Sequence, residues 1–393
     1  IKMIIDCNMH HLPEDLFTNE KMMDGFLSTA PRGFGEIATL EKMENGKQHL
    51  ILEKPQGYHN LDYVEGDYSL EAKLRAMDDA GVDAGLLRVP VWQEWLRLDT
   101  CKVVNDNAAD MCRRSNGRLH ANAVLPPWGG KENLYELERC LKELGMVGVQ
   151  LACHYGQLYL DDAAFKPYLK VLNDLKVPVI VHHTPLPVYW QSIYEFTNLR
   201  REFGRVVDQA TALGRELFSG MFEEFPDLKF IHTMFGGNWF ASQQLTTPHK
   251  SKKNEVLARF DTTEADRIQS YLANNIYYDM THPASWGKAQ VECAVEVCGA
   301  DHLLFGSFIL KISYIFARNT LFLQNKRNSI KRYRHLPCHY FSIILRIYFF
   351  GEMLSLTSEI VPFGFKSAYF STKAANAVVK EQQAHPCLVM YSL

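Results

Sequence analysis

The sequence predicts an α/β chain folded as a (β/α)8 TIM barrel, and three observations carry that prediction. Over residues 1–307, short runs rich in Val, Ile and Leu alternate with longer amphipathic segments, the pattern of βα units around a parallel sheet. Eight such runs occur in order, and a barrel of eight units takes about 250 residues plus insertions. The composition is 47% hydrophobic and 22% charged, with 24 Gly and 16 Pro in 393 residues, which excludes wholesale disorder, a collagen-like fibre and a small disulfide-stapled scaffold.

In chain order the strand candidates are Met3–Asn8, Gly85–Val91, Ala121–Leu125, Val147–Leu151, Pro178–His182, Lys229–Met234, Ile276–Asp279 and Leu303–Ser307. Between them Leu70–Ala80, Asn133–Leu144, Phe165–Leu175 and Ala289–Val297 read as amphipathic helices. Asp161-Asp162 stands just before Phe165 as a helix start, where carboxylates suit exposed amides. Two connections exceed simple turns, Leu12–Ser69 after the first strand and Thr184–Asp227 after the fifth. Both leave the C-terminal ends of strands, where a barrel keeps its active site, so they read either as lids or pocket walls or as helical decoration that only packs. No solenoid repeat and no Gly-rich phosphate loop is present; Gly236-Gly237 is an isolated pair.

The net charge of −3 averages two unlike regions. Residues 302–393 hold eleven Lys/Arg against three Glu, which leaves 31 basic and 42 acidic residues in 1–301. The expected division is therefore a barrel domain at 1–307 and an atypical basic, aromatic extension at 308–393. The extension has no nucleic-acid motif and no clean amphipathic period. It reads either as a basic, aromatic surface for nucleic acid or anionic lipid or as a frame-shifted or mis-spliced segment, and its abrupt onset inside the last barrel strand favours the second. The nine cysteines form no CxxC pair and read as reduced thiols of a cytoplasmic protein. Ile4-Ile5 is followed at once by Asp6, Asn8 and His10, so no signal peptide is expected. The apolar run Phe341–Phe350, broken by Arg346, falls short of the roughly 20 residues of a bilayer span.

Histidines carry the candidate chemistry. His10, His182 and His232 occupy the ends of strands one, five and six, and imidazoles converging from separate strands assemble metal sites at barrel mouths. Asn8 and His10 share one strand face, while His11 points away. Tyr63, Tyr68, Trp92, Trp95 and Trp190 are either pocket walls for an aromatic acid or ordinary packing.

Four segments carry a resemblance: IIDCNMHHLP at strand one, Gly148–His183 (GVQLACHYGQLYLDDAAFKPYLKVLNDLKVPVIVHH), Leu217–Gly237 (LFSGMFEEFPDLKFIHTMFGG) and DHLLFGS at Asp301–Ser307. On these the chain resembles the amidohydrolase-related (amidohydrolase 2) family, of the aminocarboxymuconate-semialdehyde and γ-resorcylate decarboxylase type, over about 1–307. The resemblance implies a metal-dependent barrel whose first strand ends in His-x-His and whose last ends in Gly-Ser-Asp. Here those positions read Asn8-Met9-His10 and Gly306-Ser307-Phe308, and the sixth-strand histidine slot before the paired glycines is Met234. His182 keeps the fifth-strand position, and His232 lies one strand period before Met234.

The resemblance thus implies a decarboxylase (carbon-carbon lyase) or hydrolase acting on a small carboxylate or aromatic acid. His10, His182 and His232 are the expected catalytic residues, with His232 as proton donor. His10 and His182 are the expected metal ligands, with Asn8, Asp279 or His282 as further donors, and Asn8, His154, Trp190 and His282 are expected at the substrate. Because an amide is a weaker donor than imidazole, the expected Zn²⁺ or Mn²⁺ binding is weak. The alternative expectation is a catalytically impaired, metal-free barrel that binds a small acid. The expected partners are a small molecule and copies of the same chain in a homodimer or homotetramer, with no nucleic acid and no membrane.

Overall fold

A computed structural model of the chain describes residues 3–29, 37–53, 59–90, 96–184, 186–196, 199–246, 265–281 and 286–307. The expected extension 308–393, His282 and the two tryptophans 92 and 95 lie outside the described residues. Eight strands form one sheet in strict chain order: β1 (Ile5–His10), β2 (Ala84–Arg88), β3 (Leu119–Val124), β4 (Gly148–Ala152), β5 (Pro178–His182), β6 (Lys229–His232), β7 (Ile276–Asp279) and β8 (Leu303–Leu304). All neighbouring pairs run parallel. Beyond β8, Phe305 O accepts from Cys7 N at 2.9 Å and Ser307 N donates to Asp6 Oδ1 at 3.1 Å, which brings the last strand beside the first. The arrangement is the (β/α)8 TIM barrel expected from the alternation of apolar runs and amphipathic segments.

The strands are readable because parallel strands are covered on both faces and so appear as unbroken apolar runs. Val149, Leu151, Val179 and Val181 on β4 and β5 have no exposed surface. The helices follow their apolar stripes. The helix at Leu70–Ala80 starts at Ser69, whose Oγ accepts from Ala72 N at 3.2 Å, and stops at Gly81, which takes the left-handed φ of 67° that ends many helices. The helix at Lys166–Leu175 has Pro in its first turn and buries Tyr168, Leu169 and Leu172, the two leucines each worth about 1.5–3 kcal/mol on complete burial. Asp162 caps the short turn before it, and Asp161 pairs with Arg215 at 2.8 Å, both structural tasks.

Both long connections hold regular structure. The first contains a helix at Glu20–Thr29 and an antiparallel sheet of Ile37–Lys42, Gln48–Glu53 and His59–Val64. The second contains a full barrel helix at Gly204–Phe218, so the true excursion after β5 is limited to 184–203. This helix buries Arg205, Asp208, Gln209 and Glu216 beside Ala212, Leu213 and Leu217.

β6 stops at His232, short of the expected Met234. Residues Met234, Phe235, Gly236, Gly237 and Asn238 all take left-handed angles, with φ between 51° and 68°. That left-handed turn opens the segment Met234–Thr246, which continues as helix beyond Asn238, and lays Gly237 against the Gly204–Phe218 helix. Among the described residues no helix is long and apolar enough to cross a membrane.

Candidate active site

Strand alternation turns Asn8 and His10 of β1 to one face, Asp6 lies across a register irregularity in the β1–β2 pairing, and each of the three meets a partner near the C-terminal end of the barrel. Asn8 Nδ2 donates to Asp279 Oδ2 at the end of β7 and to Thr281 Oγ1 at 2.9 Å. Thr281 donates to the same carboxylate. Asp6 accepts from Asn8 N at 2.9 Å and from Ser307 N and Oγ. In the β1–β2 register His10 lies directly beside Arg88.

Arg88 is the residue that sequence reasoning missed. It is among the largest fully buried side chains, with 1% exposure. Its Nε donates to Asn8 Oδ1, its Nη1 to Val89 O at 3.3 Å, and its Nη2 lies 3.0 Å from His10 Nε2. An arginine carries no lone pair there, so His10 Nε2 is the acceptor. Gln150 of β4 clamps the backbone next to it, accepting from Val89 N at 3.0 Å and donating to Val89 O at 2.9 Å. The detectable signal was one charge in the otherwise apolar strand AGLLR, a residue type that is almost never fully buried without a partner.

The electrostatics follow from burial. His182, completely enclosed, is pushed well below the ordinary imidazole range, first by desolvation and then by Arg88, His183 and His10 nearby. Desolvation holds Arg88 at about 10 against the pull of Asp279 and Asp6. Asp279 is pushed up to about 6 by burial, which outweighs its hydrogen bonds from Thr281 and Asn8 and the field of Arg88. Its Oδ1 has no nitrogen or oxygen partner among the described residues. The cluster thus holds the buried Arg88 guanidinium beside carboxylates and two imidazoles, with Arg205 and Lys73 as further buried basic side chains next to it.

Lys73 adjoins the cluster through the backbone of His10, its Nζ 2.5 Å from His10 O and 4.9 Å from the centre of the Tyr68 ring. Burial pushes its ammonium down to about 7. Between that value and the roughly 10.4 of an unfolded lysine, the unfolded chain holds a proton that the folded chain lacks. Stability is therefore expected to rise as pH increases from 7 towards 10. Urea unfolding at pH 7 and 9 tests this; Lys73→Met removes the rise, and an unchanged slope in that variant contradicts the assignment.

The structure brings Asn8, His10, His182 and Asp279 together and places other expected site residues elsewhere. His232, the expected proton donor, faces out of the barrel wall. Its Nδ1 lies 2.9 Å from Gln209 Oε1 and its Nε2 2.7 Å from Glu216 Oε2, both on the Gly204–Phe218 helix. It shares that face with Phe230, which packs on Phe222 of the short helix Met221–Glu224. The step of two residues from Met234 does not carry over, because the strand has already ended.

His154 is buried among hydrogen-bond partners. Its ring nitrogens lie 2.9 Å from Gly156 O and 2.9 Å from Leu186 O, with Thr184 Oγ1 at 2.7 Å and Asp208 at 3.5 Å. Trp190 stands half-buried on the loop after β5 with its ring 4.7 Å from that of Tyr194. His183 lies beside His182 with ring centres 4.0 Å apart and turns towards Thr233.

As placed, these residues do not fit a divalent ion. Among the described residues no three His, Cys, Asp or Glu side chains gather as a shell. The lone pair of His10 Nε2 is directed at a guanidinium, Asp279 Oδ2 accepts from Asn8 and Thr281, and an ion at His10 would face the like charge of Arg88.

A family model described as amidohydrolase matches residues 5–307. The γ-resorcylate decarboxylase of a Polaromonas species is 25% identical over 255 residues, covering 60% of this chain and 76% of the relative. The 2-amino-3-carboxymuconate-6-semialdehyde decarboxylase of Dictyostelium discoideum is 26% identical over 218 residues, covering 53% of this chain and 58% of the relative. Among solved structures, 5-carboxyvanillate decarboxylase of Novosphingobium aromaticivorans, complexed with manganese and 4-hydroxy-3-methoxy-5-nitrobenzoic acid, superposes with a TM-score of 0.59 at 19% identity. The match covers 80% of this chain and 90% of that one.

Proposed function

Since the chain belongs to the amidohydrolase family, we propose that it is a carboxy-lyase that exchanges the carboxylate of a small aromatic acid for a proton. The observation that carries this reading is the convergence of Asn8, His10, Arg88, His182 and Asp279 at the strand ends, where barrel enzymes do their chemistry. The relatives named above as decarboxylases support the same class.

The residues present suit a proton-driven route. Arg88 supplies a fixed positive charge that draws an anionic acid into the cluster. Asp279, neutral below about pH 6, has a buried carboxyl able to give up a proton. In that route the proton adds to the ring carbon bearing the carboxylate, using a pair of ring electrons. The carbon–carboxylate bond then breaks, its electrons restore the ring, CO2 leaves, and water reprotonates Asp279. His10, already fixed by Arg88, orients the acid.

The test is CO2 release from γ-resorcylate (2,6-dihydroxybenzoate) and 5-carboxyvanillate by the purified chain. Turnover of at least one, with CO2 and decarboxylated product in equal amount, is expected, and His10→Ala is expected to reduce it. No release from any aromatic carboxylate, or full activity in His10→Ala, contradicts the reading or its use of His10.

A further inference from the structure

The donors at the mouth surround a guanidinium. Arg88 touches Asn8 and His10 directly, and its field acts on His182 and Asp279. These are four of the five side chains that the sequence offers as metal donors; the fifth, His282, lies outside the described residues. Arg88 is also built in: Gln150 fixes the adjoining peptide through both its N–H and its C=O, and the side chain is enclosed. A cation buried so completely persists only where acceptors and counter-charges surround it, here Asn8 Oδ1, His10 Nε2, Val89 O and the carboxylates of Asp279 and Asp6.

We infer that Arg88 is the site's own cation, occupying the position among Asn8, His10, His182 and Asp279 where a divalent ion would sit and receiving the anionic oxygen of the substrate. A guanidinium is permanently charged and planar, and it meets a carboxylate or phenolate through paired N–H groups, so it replaces the metal's charge but not its coordination geometry. The consequence is an amidohydrolase-fold site that holds its acid without a metal. The inference rests on the carboxy-lyase reading only for the chemical class of the anion.

The experiment uses the full chain, purified without added metal. Metal content is measured by mass spectrometry, and Mn²⁺ is then titrated while its spin resonance is followed. Binding of 2,6-dihydroxybenzoate is measured by calorimetry with and without EDTA, for the wild type, Arg88→Lys and Arg88→Met. The expected results are metal well below one per chain, no tight Mn²⁺ site, and probe binding unchanged by EDTA.

Arg88→Met is expected to weaken the probe by about 10- to 100-fold, the worth of a charge-assisted hydrogen bond, with Arg88→Lys between because it keeps charge but loses the fork. One Zn²⁺ or Mn²⁺ per chain overturns the inference, as does probe binding that EDTA abolishes, that Arg88→Lys leaves at wild-type strength, or that the wild type lacks. Should Arg88→Met fail to fold, the metal analysis of the wild type and the Arg88→Lys titration still decide. Arg88-dependent, EDTA-resistant binding without CO2 release sinks the carboxy-lyase reading while leaving the cation in place.

Discussion

Asp279→Asn is expected to lower turnover by about 10²- to 10⁴-fold, the usual worth of a positioned proton donor. Asparagine keeps an oxygen for Asn8 Nδ2 but has no acidic proton to deliver. The wild type should lose activity as pH rises through about 6, where the buried carboxyl ionises, and the variant's residual rate should show no such step. The stability signature runs the same way. Burial raises Asp279 above the roughly 3.9 of an unfolded aspartate, so between about 4 and 6 the folded chain keeps a proton that the unfolded chain has released. The associated stability is fully present below pH 4 and declines as pH rises to 6. A variant that retains more than about a tenth of the activity, or that keeps the pH step, removes Asp279 from the reaction.

Gly237→Ala is expected to be the most damaging single methyl in the barrel. At φ +68° a Cβ there would lie 2.2 Å from Val206 O and 2.3 Å from Ala210 N, backbone atoms of the Gly204–Phe218 helix that cannot yield as a side chain would. The neighbours Met234, Phe235 and Asn238 already carry left-handed angles without being glycine, so the turn has little strain left to absorb. The expected loss is about 4 kcal/mol or more, seen as insoluble expression or a large fall in Tm. Gly145→Ala is the control: its φ is +71° but nothing lies within 4 Å of the added carbon, so it should cost only about 1–2 kcal/mol. Equal Tm losses for the two variants would contradict the close helix approach at Gly237.

The fold was legible because its signals are redundant. Pro178–His182, Ile276–Asp279 and Leu70–Ala80 stand as the sequence predicts, each an apolar run or stripe bounded by clear stops. The candidate cluster was legible in part. Asn8, His10, His182 and Asp279 could be found because strand ends and strand period locate the mouth. His232 misled for a physical reason. Glu216 and Gln209 reach it from the Gly204–Phe218 helix, 16 and 23 residues earlier in the chain, and neither strand position nor strand period shows that partnership. Arg88 was hidden differently. A lone charge within an apolar strand has no periodic signature, and only the three-dimensional neighbours show that it lies among the candidate donors.

The carboxy-lyase reading stands or falls on where the proton goes. The decisive measurement is turnover of 2,6-dihydroxybenzoate in D2O, with the product followed by NMR and CO2 quantified in parallel. One deuterium at the carbon that carried the carboxylate, with one CO2 per product and loss of both in Asp279→Asn, is the expected result. Consumption of the acid without CO2 release, or product formed at the wild-type rate by Asp279→Asn, would contradict it.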